Sequence, residues 1–281
     1  MPVPDMKLAV NYSPAAAALL ADGSICLDRF KTPEWLWMIA EAAPLAQVSV
    51  HFSLAAGCGK LSDTDWALID RLLVETGTPY VNLHLWAVAA DYPDMSPDTT
   101  DPAHQQRVAE QAIADVQVVA KRYGAERVIV ENVPYRRAYP GSAVRPVVEA
   151  QVIHTILNET GCGLLLDISH ARIAARSLGI DERAYIESLP VERLRELHFT
   201  GLHRRNGQWE DHLEALNADW VELEWVLGRV RQGAWANPWQ LAFEYGGVGE
   251  IFEWRSDPAI IQAQVPRLYA MLHELDEVQA A

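Results

Sequence analysis

Short apolar runs recur along the chain, and most are followed by a segment whose apolar residues repeat every three to four positions. A short run bounded by turn residues reads as a strand, and the longer periodic segment as a helix. Eight strands are expected on this basis, at 7–13, 24–30, 47–54, 79–86, 126–134, 162–169, 194–202 and 240–247. Helices are expected at 32–43 with Thr32 as a possible N-cap, and at 62–76, 101–124, 145–161, 180–189 and 218–232. A last one is expected at 257–275, interrupted by Pro266. Strand alternating with helix implies parallel pairing, and eight such units suit a closed α/β fold, the (β/α)8 TIM barrel, as a single domain over residues 1–281. The segments 135–146 and 204–217 are expected as long loops after the fifth and seventh strands, on the face where such barrels build their active sites.

The pattern breaks in the same way on strand after strand. The apolar run GLLLD ends in an acid, with Ser169 and His170 just beyond. The third strand ends near His51, the fourth near His84, the fifth at Glu131, the sixth at Asp167, the seventh at His198 and the eighth at Glu244. Glu210, Asp211 and His212 lie in the loop after the seventh. Side chains alternate at period 2, so residues at these ends converge inside a barrel. Burying carboxylates and imidazoles together costs several kcal/mol per ion, roughly, unless cations compensate them. The ends of the third to eighth strands carry no Lys or Arg, which leaves divalent metal ions as the compensation. The donors are nitrogen and oxygen without thiolate, a set that suits zinc, iron or manganese. They outnumber what one ion takes, so two or three ions are expected, with Glu131 the most plausible bridge. His104, His154, His203 and His273 read instead as surface or satisfied side chains.

Composition narrows the setting. The chain has 281 residues, half of them apolar and 22% charged, with a formal charge of −15. That balance argues against a general nucleic-acid binder, which needs a basic surface to release counterions. Arg136-Arg137 and Arg204-Arg205 are local basic pairs on loops. Three scattered cysteines support neither a disulfide framework nor a Cys-based zinc site, so a reducing, cytoplasmic setting is expected. The N-terminus lacks the pattern of a secretory signal, and no apolar run is long enough to span a membrane. Trp86 and Trp209, close to His84 and Glu210, are placed to line a pocket or peptide groove.

The order His51, His84, Glu131, Asp167-x-x-His170, His198, Glu210-x-His212, Glu244 resembles the trinuclear site of xylose-isomerase-like barrels, best known from the endonuclease IV type. Within that superfamily, VIVENVP, TGCGLLLDIS and ELHFTG more closely resemble the multinuclear non-haem iron-dependent oxidative enzymes, which include the methanobactin-maturing enzyme. The resemblance runs from about residue 7 to 275. It implies one ion on His51, His84 and Glu131, a second on Glu131, Asp167, His198 and Glu244, and a third on His170, Glu210 and His212. It makes Glu131, Asp167, His198 and Glu244 the catalytic candidates, and Asn132, Trp86 and Arg136 the substrate-binding ones. Two positions depart from the family pattern: Glu210 stands where Asp is usual, with Asp211 beside it, and His170 where Asn is frequent. The resemblance further implies a mixed-valent Fe2+/Fe3+ centre that uses O2 to modify a residue, often Cys, of a ribosomally made precursor peptide. It also implies a small partner protein that recognises the leader. The alternative is a zinc or manganese hydrolase or isomerase acting on a phosphate or sugar.

Overall fold

Strand and helix alternate as the apolar pattern requires. A computed structural model of the chain describes residues 6–137, 139–249 and 255–273. In chain order the elements are β1 (Lys7–Asn11), α1 (Pro14–Ala21), β2 (Arg29–Pro33), α2 (Leu36–Ala42), β3 (Gln47–His51), β4 (Leu54–Ala56), α3 (Trp66–Thr76), β5 (Val81–Leu85) and α4 (Pro102–Tyr123). They continue with β6 (Val128–Glu131), α5 (Ala150–Thr160), β7 (Gly163–Asp167), α6 (Ile168–Leu178), α7 (Glu182–Glu187) and β8 (Leu194–Phe199). The chain then forms β9 (Gly201–Arg205), β10 (Gln208–Leu213), α8 (Asn217–Arg231), β11 (Gln240–Phe243) and α9 (Pro258–Leu272). No helix among the described residues is long and apolar enough to cross a membrane.

Two compact units divide the chain, one made of residues 1–50 and 196–281, the other of residues 51–195. In the first unit the strand order is β3-β2-β1-β11-β8, with β2-β1-β11-β8 paired parallel. In the second it is β4-β5-β6-β7, also parallel. Strand interiors are fully buried, Leu8, Val10, Leu241 and Phe243 in the first unit and Leu83, Val130, Leu164 and Leu166 in the second. Such near-continuous apolar strands are what a parallel sheet covered on both faces requires. Helix α4 covers β4, β5 and β6 with Val108, Ala112, Val116 and Val119, a stripe at helical spacing. It starts at the Asp101 cap and stops at Gly124.

Several elements differ from the sequence expectation. The second strand is 29–33 rather than 24–30, because Asp28 is held as a loop residue: its carboxylate accepts from the Leu8 amide at 2.7 Å and its own amide donates to the Leu8 carbonyl. Thr32 therefore lies inside β2 and caps no helix; Trp35 takes the N-cap of α2. The third strand, expected at 47–54, breaks into β3 and β4 around Phe52 and Ser53. Residues 204–217 are no plain loop. Asn206 and Gly207 turn at positive φ and join β9 to β10 as a hairpin, the two-residue Asn-Gly connection whose backbone twist suits paired strands. Helix α9 runs through Pro266, and residues 274–275 of the expected helix lie outside the described residues, as do residues 1–5 of the N-terminal segment.

Helix α6 was not expected, and it depends on the acid at the end of β7. The Asp167 side chain accepts from the His170 amide at 2.7 Å and so caps the helix that follows directly, while Gly179 ends it in the left-handed conformation. Arg172 and Arg176 of α6 bind the two oxygens of Glu182 at the start of α7, at 2.6 and 2.5 Å. Burial alone would push the Glu182 carboxyl up, but the two guanidinium groups outweigh it and hold the group below its ordinary value. A depressed carboxylate stabilises the fold above its unfolded-state pKa, and the benefit disappears as pH falls through the folded-state value. Glu182→Gln is expected to lower stability by about 1–3 kcal/mol near neutral pH. In urea unfolding followed against pH, the gap to the wild type should narrow towards the acid end.

Candidate metal centre

In the second unit, neighbouring strands place their polar ends side by side. His84 of β5 and Glu131 of β6 are register partners, so their side chains leave the sheet together. His51 Nε2 lies 3.1 Å from His84 Nε2, and these atoms stand 3.4 and 3.3 Å from Glu131 Oε2. The three atoms form a nearly equilateral triangle whose centre is about 1.9 Å from each, close to the 2.0–2.2 Å at which nitrogen and oxygen bind zinc-sized ions. The other oxygen of Glu131 faces elsewhere: Oε1 is 3.4 Å from His170 Nδ1, which is 3.6 Å from Asp167 Oδ2. Glu131, Asp167 and His170 offer ligand atoms that all lie within 4.8 Å of one another. Glu131 and Asp167 are fully enclosed, and one carboxylate thus addresses two donor groups.

Backbone carbonyls set the imidazole orientations. Nδ1 of His84 meets Leu54 O at 3.2 Å, Nδ1 of His170 meets Asn132 O at 3.0 Å, and Nδ1 of His212 meets Glu244 O at 3.1 Å. A carbonyl can only accept, so Nδ1 carries the proton in each ring and Nε2 keeps its lone pair; in His170 the ligand atom is then Nε2, and the Nδ1 that faces Glu131 and Asp167 is an N–H. Metal-ligating histidines are commonly held in this way. The amide of Asn132 is engaged at both ends by the Asp167 main chain, at 2.9 Å each way, which ties the end of β6 to the end of β7.

In the first unit His198 and Glu244 are buried on β8 and just past β11. His198 Nδ1 is 3.2 Å from Glu244 Oε1, and Nε2 is 3.0 Å from Glu196 Oε1. Glu244 has a buried cationic partner as well, the ammonium of Lys31 on Oε1. Lys31 comes from none of those strand ends but from the middle of β2, so the absence of Lys and Arg there does not leave Glu244 without a cationic partner. On the β9–β10 hairpin, Glu210 is half-buried with its carboxylate 3.8 Å from Arg205, whereas Asp211 is buried. A register shift between Glu210 and Leu213 puts His212 at φ 58°, a bulge that re-aims its ring. The hairpin folds back so tightly that a Cβ on Gly201 would overlap the Glu214 carbonyl.

Sequence reasoning missed three residues that support these donors. Asn82 lies two positions before His84 and binds both backbone groups of Phe52, at 2.7 and 3.0 Å, with its Nδ2 3.3 Å from His51 Nε2. It thereby holds the break between β3 and β4 and the ring next to it. Glu196 lies two positions before His198, steadied by Trp239 Nε1 and Gln240 Nε2 at 2.9 and 2.8 Å. Lys31 is the third. A strand period of two was the signal for the first pair, because a polar residue at i−2 shares the ligand's face.

The other histidines have partners away from these groups: Thr99 for His104, Ser188 O for His154, Glu214 O for His203 and Asp28 for His273. Trp86 is half-buried directly after β5. Arg136 lines a cavity of about 230 Å³ in the loop after β6, together with Pro97, Tyr135, Tyr139 and Ser142. Burial first, then the neighbouring Asp98 carboxylate, pushes the Tyr135 phenol up to about 12, so it remains a hydrogen-bond donor.

The chain is similar to several known proteins. The family described as RiPP precursor modification enzyme MbnB/TglH/ChrH matches residues 24–231. A UPF0276 protein of Paraburkholderia phytofirmans is 30% identical over 184 residues, 64% of this chain and 56% of that protein. One of Caulobacter vibrioides is 28% identical over 190 residues, 66% of this chain and 64% of that protein. The match thus spans less than two thirds of the length of these relatives. Among solved structures, D-psicose 3-epimerase of Clostridium cellulolyticum H10 aligns with a TM-score of 0.54 at 13% identity, over 95% of this chain and 98% of that one. A candidate xylose isomerase of Rhodospirillum rubrum aligns with a TM-score of 0.57 at 18% identity, over 94% and 99%. These similarities show the fold to be a (β/α)8 TIM barrel.

The double position of Asp167, helix cap and candidate ligand, can be separated by substitution. Asp167→Ala is expected to lose about 1–2 kcal/mol of unfolding free energy in urea, whereas Asp167→Asn, which can still cap, should lose only a few tenths. Equal losses would mean that the cap contributes nothing.

Proposed function

This chain belongs to the family of RiPP precursor modification enzymes MbnB/TglH/ChrH, and from that premise we propose that it is an iron-dependent oxidase or oxygenase that modifies a residue of a ribosomally made precursor peptide. The observation that carries the metal reading is the triangle of His51, His84 and Glu131, with its edges of 3.1 to 3.4 Å. An all-nitrogen-and-oxygen set of this size fits a non-haem ion.

On this reading His51, His84, Glu131, Asp167 and His170 of the second unit, and His198, His212 and Glu244 of the first, supply ligands for two or three ions. Asp211 takes the place expected for Glu210, since Asp211 is buried and Glu210 turns to Arg205. Glu131 presents one oxygen to each of two donor groups and bridges them. Asn132 and Asn82 act through Asp167 and His51, fixing those donors before an ion arrives. Iron, when bound, supplies the one-electron exchange with O2 that oxidation of a peptide residue needs. Arg136 and Trp86, on the loops after β6 and β5, receive the peptide, often through a Cys-containing segment, and a small partner protein presents its leader. The cytoplasm supplies the reducing setting in which such a thiol persists.

The same donors also suit zinc or manganese, and solved proteins of this fold include an epimerase and a family 2 AP endonuclease of Brucella melitensis. Elemental analysis of full-length protein purified without oxygen from iron-supplemented cells separates the readings. Two or three irons per chain are expected, with a mixed-valence spectrum on partial oxidation. Glu131→Ala should abolish metal uptake, while His104→Ala leaves it unchanged. A fully zinc-loaded protein inert towards O2 would refute the oxidative reading.

A further inference from the structure

Lys31 places a cation in the first unit's polar cluster, where a metal reading calls for none. Its side chain is 7% exposed, that of Glu244 6%, and its ammonium contacts Glu244 Oε1. The same oxygen stands 3.2 Å from His198 Nδ1, so an ammonium and an imidazole converge on one carboxylate oxygen. Lys31 reaches this position from β2, where it pairs in register with Asn11 of β1, and β1 pairs in turn with β11, the strand that ends just before Glu244.

A buried ammonium is expensive to desolvate, and its attraction to one carboxylate roughly offsets that cost, so the pair adds little to stability. Its main physical effect is electrostatic. A divalent cation approaching Glu244 meets a fixed positive charge of the same sign at short range, in surroundings that screen it poorly. Resting on the proposed function above, we propose that Lys31 is a resident counter-cation of Glu244 that a metal ion must displace. The subsite that uses Glu244 and His198 is then the weakest and the last to fill, while the donors of the second unit load first. Lys31 neutralises the carboxylate when the ion is absent and keeps that ion exchangeable when it is present. Open, labile coordination is what a catalytic ion requires and what a structural ion avoids.

The experiment is a calorimetric titration of chelator-stripped full-length protein with Zn2+, with metal counted after gel filtration. Wild type is expected to show a weakest site clearly separated from the others. In Lys31→Met that site should tighten by about tenfold or more, with the remaining sites unchanged, and the stripped protein should melt at a lower temperature than stripped wild type. Lys31→Arg, which keeps the charge, should titrate as wild type does. Lys31→Gln retains a donor for Glu244 without the charge, and it should tighten the site as Met does if the Met variant proves poorly folded. A weakest site unchanged or weakened in both neutral variants overturns the role of Lys31 while leaving the metal reading intact. A wild-type protein that binds no Zn2+, Fe2+ or Mn2+ overturns both.

Discussion

Carboxylates buried at the ends of parallel strands must each find positive charge or donors, and this requirement organises the rest of the molecule. Glu131 faces two imidazole nitrogens through one oxygen and a third through the other. Asp167 turns one oxygen to the first turn of α6, where helix amides need an acceptor and the helix dipole welcomes negative charge. Glu244 takes an ammonium and an imidazole. Asp167 and Glu244 thus find donors within the protein, whereas Glu131 Oε2 faces the lone pair of His84 Nε2, an arrangement that a metal ion can use.

Rigidity comes from the strands and from polar residues one step deeper on the same face. Asn82 and Glu196 stand two positions before His84 and His198, and both are locked by several hydrogen bonds. Asn132 closes the ends of β6 and β7 upon each other through the Asp167 backbone. Donors held before an ion arrives lose little conformational freedom when it binds, which favours affinity. The β9–β10 hairpin brings in His212 by another device, a bulge with a non-glycine residue at φ 58°, strain that its surroundings must hold. The family to which the chain belongs is described as precursor modification enzymes, whereas the barrel by itself carries no functional information, since solved proteins of this fold include an epimerase and an endonuclease.

Much of this was legible in the amino-acid order, because local rules govern it. The apolar runs placed seven of the eight expected strands within a few residues, since a strand buried on both faces can hardly be anything but apolar. The His and acid residues at strand ends stood out as polar interruptions of those runs. The hairpin at Asn206-Gly207 and the cap at Asp167 rest on short-range signals too, but the expected loop at 204–217 and strand at 162–169 passed over them. Other features were decided only by contacts between residues far apart in the chain. Asp28 binds Leu8 and β2 begins only at Arg29, which puts Lys31 within the strand, where it meets Glu244, 213 positions away. The choice between Glu210 and Asp211 rests on which carboxylate the hairpin buries, and the proton-bearing nitrogen of each imidazole on which carbonyl it meets. Periodicity reports which residues avoid water; the identity of a buried charge's partner depends on register between strands, and no local pattern encodes register.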